Sequence, residues 1–181
     1  MKVISGKLKG RIIEGYTIDG TRPTMDRVKE SVFGSIQTHI KDSIVLDLFA
    51  GSGQLGIEAI SNGAKTCYFI DNNPEVIKVL KSNINKFNIN SESKIILSDW
   101  KKFLNEAKEK ELKFDIIFID PPYDYHVYEK IMEKVSTYNL LNEGGLIILE
   151  HANLNLKDTY DNLKLLKSKK YGNKTVNIYR N

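Results

Sequence analysis

Near-continuous apolar runs of strand length recur along the chain at residues 43–50 (SIVLDLFA), 65–71 (KTCYFID), 94–99 (KIILSD), 114–122 (FDIIFIDPP) and 144–151 (GGLIILEH). Between them, residues 53–62, 74–88, 100–110 and 126–138 carry apolar positions at helical spacing. Strands that are apolar on both sides and alternate with helices predict a parallel sheet covered on both faces. The local signals agree. Asn73 is placed to cap a helix whose first position is Pro74, where a missing N–H costs nothing, and Val76, Ile77, Leu80, Ile84 and Phe87 then form its apolar stripe. A further helix is expected to start near Thr24, with Asp26 in its first turn.

The two ends read differently. Residues 163–180 (LKLLKSKKYGNKTVNIYR) predict two strands around a Gly-Asn turn. Residues 1–16 predict a small basic hairpin, with strands near 2–5 and 11–14 about GKLKG. The expectation is a doubly wound α/β fold over residues 21–181, preceded by a hairpin extension over residues 1–20. In such folds ligands bind outside the carboxyl ends of the strands. Those ends carry Asp47, Asp71, Asp99 and Asp120, one on each of four successive strands. One acid there is an ordinary solvated terminus; four in succession point to a site.

Composition narrows the class. With 181 residues, 41% hydrophobic and 28% charged, the chain is that of an ordinary globular domain. No apolar run approaches the roughly 20 residues of a membrane span. The single cysteine, Cys67, excludes an internal disulfide and reads as a small buried hydrophobe; the expected location is the cytoplasm. His39, His126 and His151 lack ligand spacing with one another and read as surface or capping residues, so no metal is expected. The net charge of +4 is uneven: residues 1–11 and 164–181 together hold +10 and no acid, leaving −6 on the body. Basic ends brought to one active-site mouth would form a positive rim for a polyanion.

The first strand runs into Gly51-Ser52-Gly53-Gln54-Leu55-Gly56, the G-x-G-x-x-G spacing of nucleotide-cofactor loops. A dinucleotide brings a pyrophosphate, which a carboxylate four residues upstream at Asp47 would repel. S-adenosylmethionine brings an ammonium, a sulfonium and a ribose diol, and Asp47 suits such a cation. Asp71, with Asn72 beside it, suits the ribose hydroxyls. Asp99 suits the adenine amino group, and Trp100 is a candidate surface for the ring or a core anchor at a helix start. Residues 120–123, DPPY, are the most specific four letters. A nucleobase amine is a poor nucleophile because its lone pair is delocalised. Acceptors on its N–H bonds, the Asp120 carboxylate and the Pro121 carbonyl, favour the tetrahedral geometry needed for attack. Pro121 and Pro122 make the turn rigid, and Tyr123 offers a stacking face for a base swung out of its helix.

The glycine loop and DPPY in this order resemble class I S-adenosylmethionine-dependent methyltransferases that act on amines. TRPTMDRVKESVFGSI (residues 21–36), the early ISGKLKGR and the late KKYGNKTVNIY resemble the RsmD-type family, which methylates guanine N2 in small-subunit ribosomal RNA. The resemblance spans nearly the whole chain. It implies a mostly parallel, seven-stranded Rossmann-like sheet, a cofactor site at Asp47, Gly51, Gly53, Asp71 and Asp99, and catalysis at Asp120 through Tyr123. It also implies RNA contacts at Lys7, Lys9 and Arg11, with Arg22 meeting either the cofactor carboxylate or an RNA phosphate. The partner it implies is ribosomal RNA, free or within an assembled small subunit, and the enzyme is expected to act as a monomer. The ILEHA segment departs in detail from the family pattern and is expected to lie away from the transferring atoms. Two rivals remain: a DNA adenine-N6 methyltransferase, whose amine is chemically equivalent, and a non-catalytic RNA-binding module of the same fold.

Overall fold

A computed structural model describes residues 1–15, 23–121, 127–152 and 154–181. Its centre is an eight-stranded sheet in the order β3-β2-β1-β4-β5-β8-β7-β6. The strands are β1 (Ile44–Asp47), β2 (Thr66–Asp71), β3 (Ser93–Leu97), β4 (Phe114–Ile119), β5 (Leu141–His151), β6 (Thr159–Tyr160), β7 (Leu163–Tyr171) and β8 (Lys174–Arg180). The first five are parallel and the last three antiparallel. The seven expected strands gain an eighth because two residues, Thr159 and Tyr160, pair with β7 at its outer edge. So short an edge strand carries no periodic signal.

Helices α1 (Pro23–Ile40), α2 (Gln54–Ser61) and α3 (Pro74–Phe87) cover one face; α4 (Trp100–Glu109) and α5 (Tyr128–Thr137) cover the other. The strands alternate between two cores. Val45, Phe69, Phe118 and Ile148 pack toward α1–α3, while Leu46, Ile70, Ile117 and Ile147 pack toward α4 and α5. Helix starts follow the chemistry read from sequence. Asn73 accepts the Glu75 N–H at 2.9 Å ahead of Pro74, and Asp99 accepts the N–H groups of Lys101 and Lys102 at 2.8 and 3.4 Å. At Gly56 the α2 backbone lies so close to β2 that a Cβ would stand 2.2 Å from the Phe69 ring and 2.6 Å from Cys67 Sγ. The third glycine of the loop therefore sets the helix against the sheet.

The N-terminal segment pairs antiparallel only through one bridge, Lys2 with Ile12, and a 3-10 turn at Gly6–Leu8 replaces the middle of the expected hairpin. Its Val3, Leu8 and Ile13 are buried in the same core as α1–α3, so the body's interior takes up the apolar positions that would otherwise have been a free ribbon's faces. Buried polar groups of the body fix the segment. Glu58 of α2, fully buried, accepts the N–H groups of Ile4 and Ser5 and the Ser5 hydroxyl at 2.9–3.1 Å, and lies 3.6 Å from the buried Lys29 ammonium of α1. Asn83 of α3, also fully buried, accepts the Glu14 N–H at 2.9 Å and donates to the carbonyls of Glu14 at 2.7 Å and Ser52 at 3.0 Å. One side chain thus ties the end of the N-terminal segment to the glycine loop.

Gly56→Ala is expected to destabilise the fold by about 1–3 kcal/mol through overpacking, read as a lower urea midpoint; an unchanged midpoint would show that α2 lifts freely from β2. Asn83→Leu leaves three backbone groups without partners, each worth about 1–3 kcal/mol if it stays buried. It should lower the melting temperature and also weaken S-adenosylhomocysteine binding. A variant that melts early but binds the ligand normally would separate Asn83 from the loop.

Candidate active site

The strand order reverses between β1 and β4, and the glycine loop leaves β1 at that point. Alternation along the strands then places four acids on one face. Asp47 continues the row of Val45, Asp71 that of Phe69, Asp120 that of Phe118, and Glu150 that of Ile148, all toward the α1–α3 side at the carboxyl edge. Lys174, at the start of β8, pairs with Glu150.

Each acid has a local task. Asp47 is buried, and its Oδ2 accepts the Gly56 N–H at 3.0 Å, in the first turn of α2. The carboxylate is therefore turned into the loop it supports, and its contact is with backbone N–H rather than with the cleft alone. Burial pushes its pKa up to about 7, with the neighbouring Asp71 adding to the rise and the Gly56 hydrogen bond opposing it. Asp71 Oδ2 accepts from Gly51 N at 3.0 Å and Oδ1 from Asn73 N at 2.9 Å. Each oxygen keeps a further lone pair for a hydroxyl. Gly53 holds φ at +90°, a conformation that strains any residue with a Cβ, and a Cβ there would also stand 2.5 Å from the end of the Leu80 side chain. Open space surrounds the Cβ position of Gly51, leaving its backbone approachable.

Asp120 follows β4 directly. Desolvation raises its pKa to about 7; the charges of Glu150 and Asp47 add to the rise, and Lys174 opposes it. Glu150 therefore belongs to the site, which corrects the expectation for ILEHA. The parallel register of Ile119 with Leu149 puts Glu150 beside Asp120, and Thr175 pairing with His151 brings Lys174 to the same corner. Pro121 is buried next to it.

Other expected residues sit differently. Trp100 is 8% exposed and packs among Leu46, Ile70, Phe103 and Leu104, because α4 buries its large apolar residues against the sheet. It is a core anchor rather than an open ring surface. Asp99 and Asn72 remain exposed at the edge. Lys7 pairs with Glu92 at 2.8 Å, and the Arg11 guanidinium donates to the Lys86 carbonyl at 2.7 Å and lies over the Phe87 ring. Both contacts are at the C-terminal end of α3 and the start of β3, the amino-end side of the sheet, so Lys7 and Arg11 do not join the four acids. Lys9 is exposed. Arg22, Pro122, Tyr123 and His126 lie outside the described residues. Among the described residues, no group of three or more His, Cys, Asp or Glu side chains has metal-binding geometry. His151 is buried rather than on the surface; its Nδ1 accepts the Leu154 N–H at 3.0 Å, and burial lowers its pKa. Burial likewise pushes the Cys67 thiol well above its usual range, as suits a core residue.

Sequence reasoning missed Glu150, Lys174 and Asn83. Glu150 stands at a strand end like the four aspartates and was open to the same reading. Asn83 interrupts the α3 stripe of Leu80, Ile84 and Phe87 as a polar residue on a buried face, which is the signal of a buried hydrogen-bonding task. Lys174 has no signal until the β5–β8 register is known.

The arrangement concentrates negative charge at a glycine loop. It fits a cationic, hydroxyl-bearing cofactor and opposes a pyrophosphate. No helix among the described residues is long and apolar enough to cross a membrane.

Comparison with known proteins agrees with this chemistry. The family model described as "Conserved hypothetical protein 95" matches residues 1–180. Ribosomal RNA small subunit methyltransferase D of Haemophilus influenzae is 32% identical over 181 residues, spanning 100% of this chain and 94% of that protein. YlbH of Bacillus subtilis is 37% identical over 181 residues, spanning 99% and 98%. The solved structure of yhhF from Escherichia coli superimposes with a TM-score of 0.88 at 29% identity, covering 99% of this chain and 97% of that one. On that match across its length the chain belongs to this family, the RsmD-type S-adenosylmethionine-dependent rRNA methyltransferases.

Proposed function

We propose that this chain methylates the exocyclic N2 amine of a guanine in small-subunit ribosomal RNA, with Asp120 as the catalytic residue. The observation that carries the reading is the shared face of Asp47, Asp71, Asp120 and Glu150 at the end of a glycine loop. The small-subunit assignment follows the relative from Haemophilus influenzae, whose name specifies that RNA. S-adenosylmethionine, when bound, supplies a methyl group made electrophilic by its sulfonium. Gly51, Gly53, Asp71 and Asn72 would hold it, with Asp99 at the exposed edge and Asp47 supporting the loop from behind.

The chain's own contribution is orientation and hydrogen bonding. Asp120 in its ionised form accepts one N–H of the guanine amine, and the Pro121 carbonyl accepts the other. Both bonds draw the nitrogen out of conjugation and aim its lone pair. Glu150 and Lys174 set the Asp120 charge. Pro122 and Tyr123 complete the motif, with Tyr123 as the stacking face for the base. A guanine presented within an assembled subunit would meet the cost of leaving its stack partly in advance.

Asp120→Ala should retain S-adenosylhomocysteine binding and lose roughly 10²–10³-fold in methyl transfer; near-normal turnover would remove the carboxylate from the chemistry. Nucleoside analysis of the labelled product should give N2-methylguanine, and N6-methyladenine in DNA would favour the rival enzyme. Proton linkage gives a third test. Asp47 and Asp120 have pKa values raised to about 7, so part of each is protonated at neutral pH, and a bound cation favours the ionised form. S-adenosylmethionine should therefore bind more tightly as pH rises through about 7, with proton release detected by an indicator dye. Affinity that falls over this range, or binding with proton uptake, would contradict the acidic site.

A further inference from the structure

The four acids that suit a cationic cofactor repel an RNA backbone, so the polyanion needs a separate hold. Two of the N-terminal cations are already engaged, Lys7 with Glu92 and Arg11 on α3. Strand β7 is different. Its register against β8 runs Lys164 to Arg180, Leu165 to Tyr179 and then Lys167 to Ile178, which leaves Leu166 as an inserted residue, 61% exposed. Such a bulge re-aims the side chains beyond it. Leu163 and Leu165 pack toward the α4–α5 core, whereas after the bulge Lys167, Lys169 and Tyr171 turn to the α1 side. Lys167 Nζ donates to Ser35 Oγ at 2.9 Å, Lys169 Nζ to Ser31 Oγ at 3.3 Å, and Tyr171 to Ser31 Oγ at 2.5 Å.

By the same register, Lys164 lies on this face with Lys167 and Lys169. All three are exposed, and none forms an ion pair among the described residues. Lys169 also lies over the Tyr171 ring, 5.1 Å from its centroid. The face is the one that carries Asp120 and Glu150, with Lys174 across the hairpin from Tyr171. We propose that Lys164, Lys167 and Lys169, aligned along β7 by the bulge at Leu166, form a phosphate-binding track that carries the RNA strand toward Asp120. The proposal rests on the rRNA methyltransferase reading above. Uncompensated lysines in a row supply the counterion-releasing contacts that an RNA backbone makes, and Tyr171 adds an aromatic edge to them.

The test is the salt dependence of binding to a small-subunit rRNA fragment, measured by fluorescence anisotropy for the wild type and for Lys164→Gln/Lys167→Gln/Lys169→Gln. The triple variant should lose up to about 2–3 units of the log–log salt slope, at roughly 0.7–0.9 per phosphate contact. Its KM for RNA should rise while kcat and S-adenosylhomocysteine affinity stay near wild type. An unchanged slope in the triple variant, or a loss of slope confined to a Lys7→Gln/Lys9→Gln/Arg11→Gln variant, overturns the track while leaving the functional reading intact. A wild-type protein that neither binds nor methylates rRNA would instead overturn that reading, and the track with it.

Discussion

Carboxylates gathered on one face of a parallel sheet repel one another, and desolvation together with neighbouring acids raises the pKa values of Asp47 and Asp120. That tension is concentrated at Asp47, Asp71, Asp120 and Glu150, and the surrounding structure is arranged to hold it. Backbone N–H groups of Gly51, Gly56 and Asn73 point at two of the acids, and Lys174 answers a third. What remains is a loop and a strand end whose unbalanced charge is negative. A cation placed there relieves the strain, whereas a phosphate increases it. Cofactor choice in this fold is thus an electrostatic consequence of strand-end residues more than of the glycines, whose spacing serves both kinds of ligand.

The same charge forces a division of labour. A site that attracts a sulfonium cannot attract a nucleic-acid backbone, so substrate affinity has to come from elsewhere on the surface. Residues 1–11 and 164–181 carry basic residues without a single acid, while the body between them is net acidic, and the antiparallel hairpin of β7 and β8 brings one of those ends to the carboxyl edge of the sheet. At the other end, buried Glu58 and Asn83 fasten the N-terminal segment to α2, α3 and the glycine loop. That segment works in part as a brace for the loop's outer side. Its interior contacts involve Val3, Leu8 and Ile13.

Much of the fold was legible because its elements have clean periods. The α3 boundaries follow from Asn73, Pro74 and the apolar stripe, and β1, β2 and β4 follow from short runs rich in β-branched, aromatic and other apolar residues. The strand-end aspartates were legible for the same reason, since a known strand has a known end. The illegible parts depend on pairing. The bulge at Leu166, the position of Lys174 and the two-residue β6 exist only through their partners. Trp100 shows a different limit: a large aromatic at a helix start next to a candidate ligand position has two uses, and the apolar area it buries decides for the core. Lys7 and Arg11 show that a basic stretch says nothing of which way each cation points.

The central claim is that the acid-lined glycine loop takes a cationic methyl donor and rejects an anionic dinucleotide. Parallel calorimetric titrations of the purified protein with S-adenosylmethionine and with NADH address it directly. Saturable binding of S-adenosylmethionine and no detectable heat of binding from NADH are expected; tight NADH binding with none of S-adenosylmethionine would contradict a cation-selective loop.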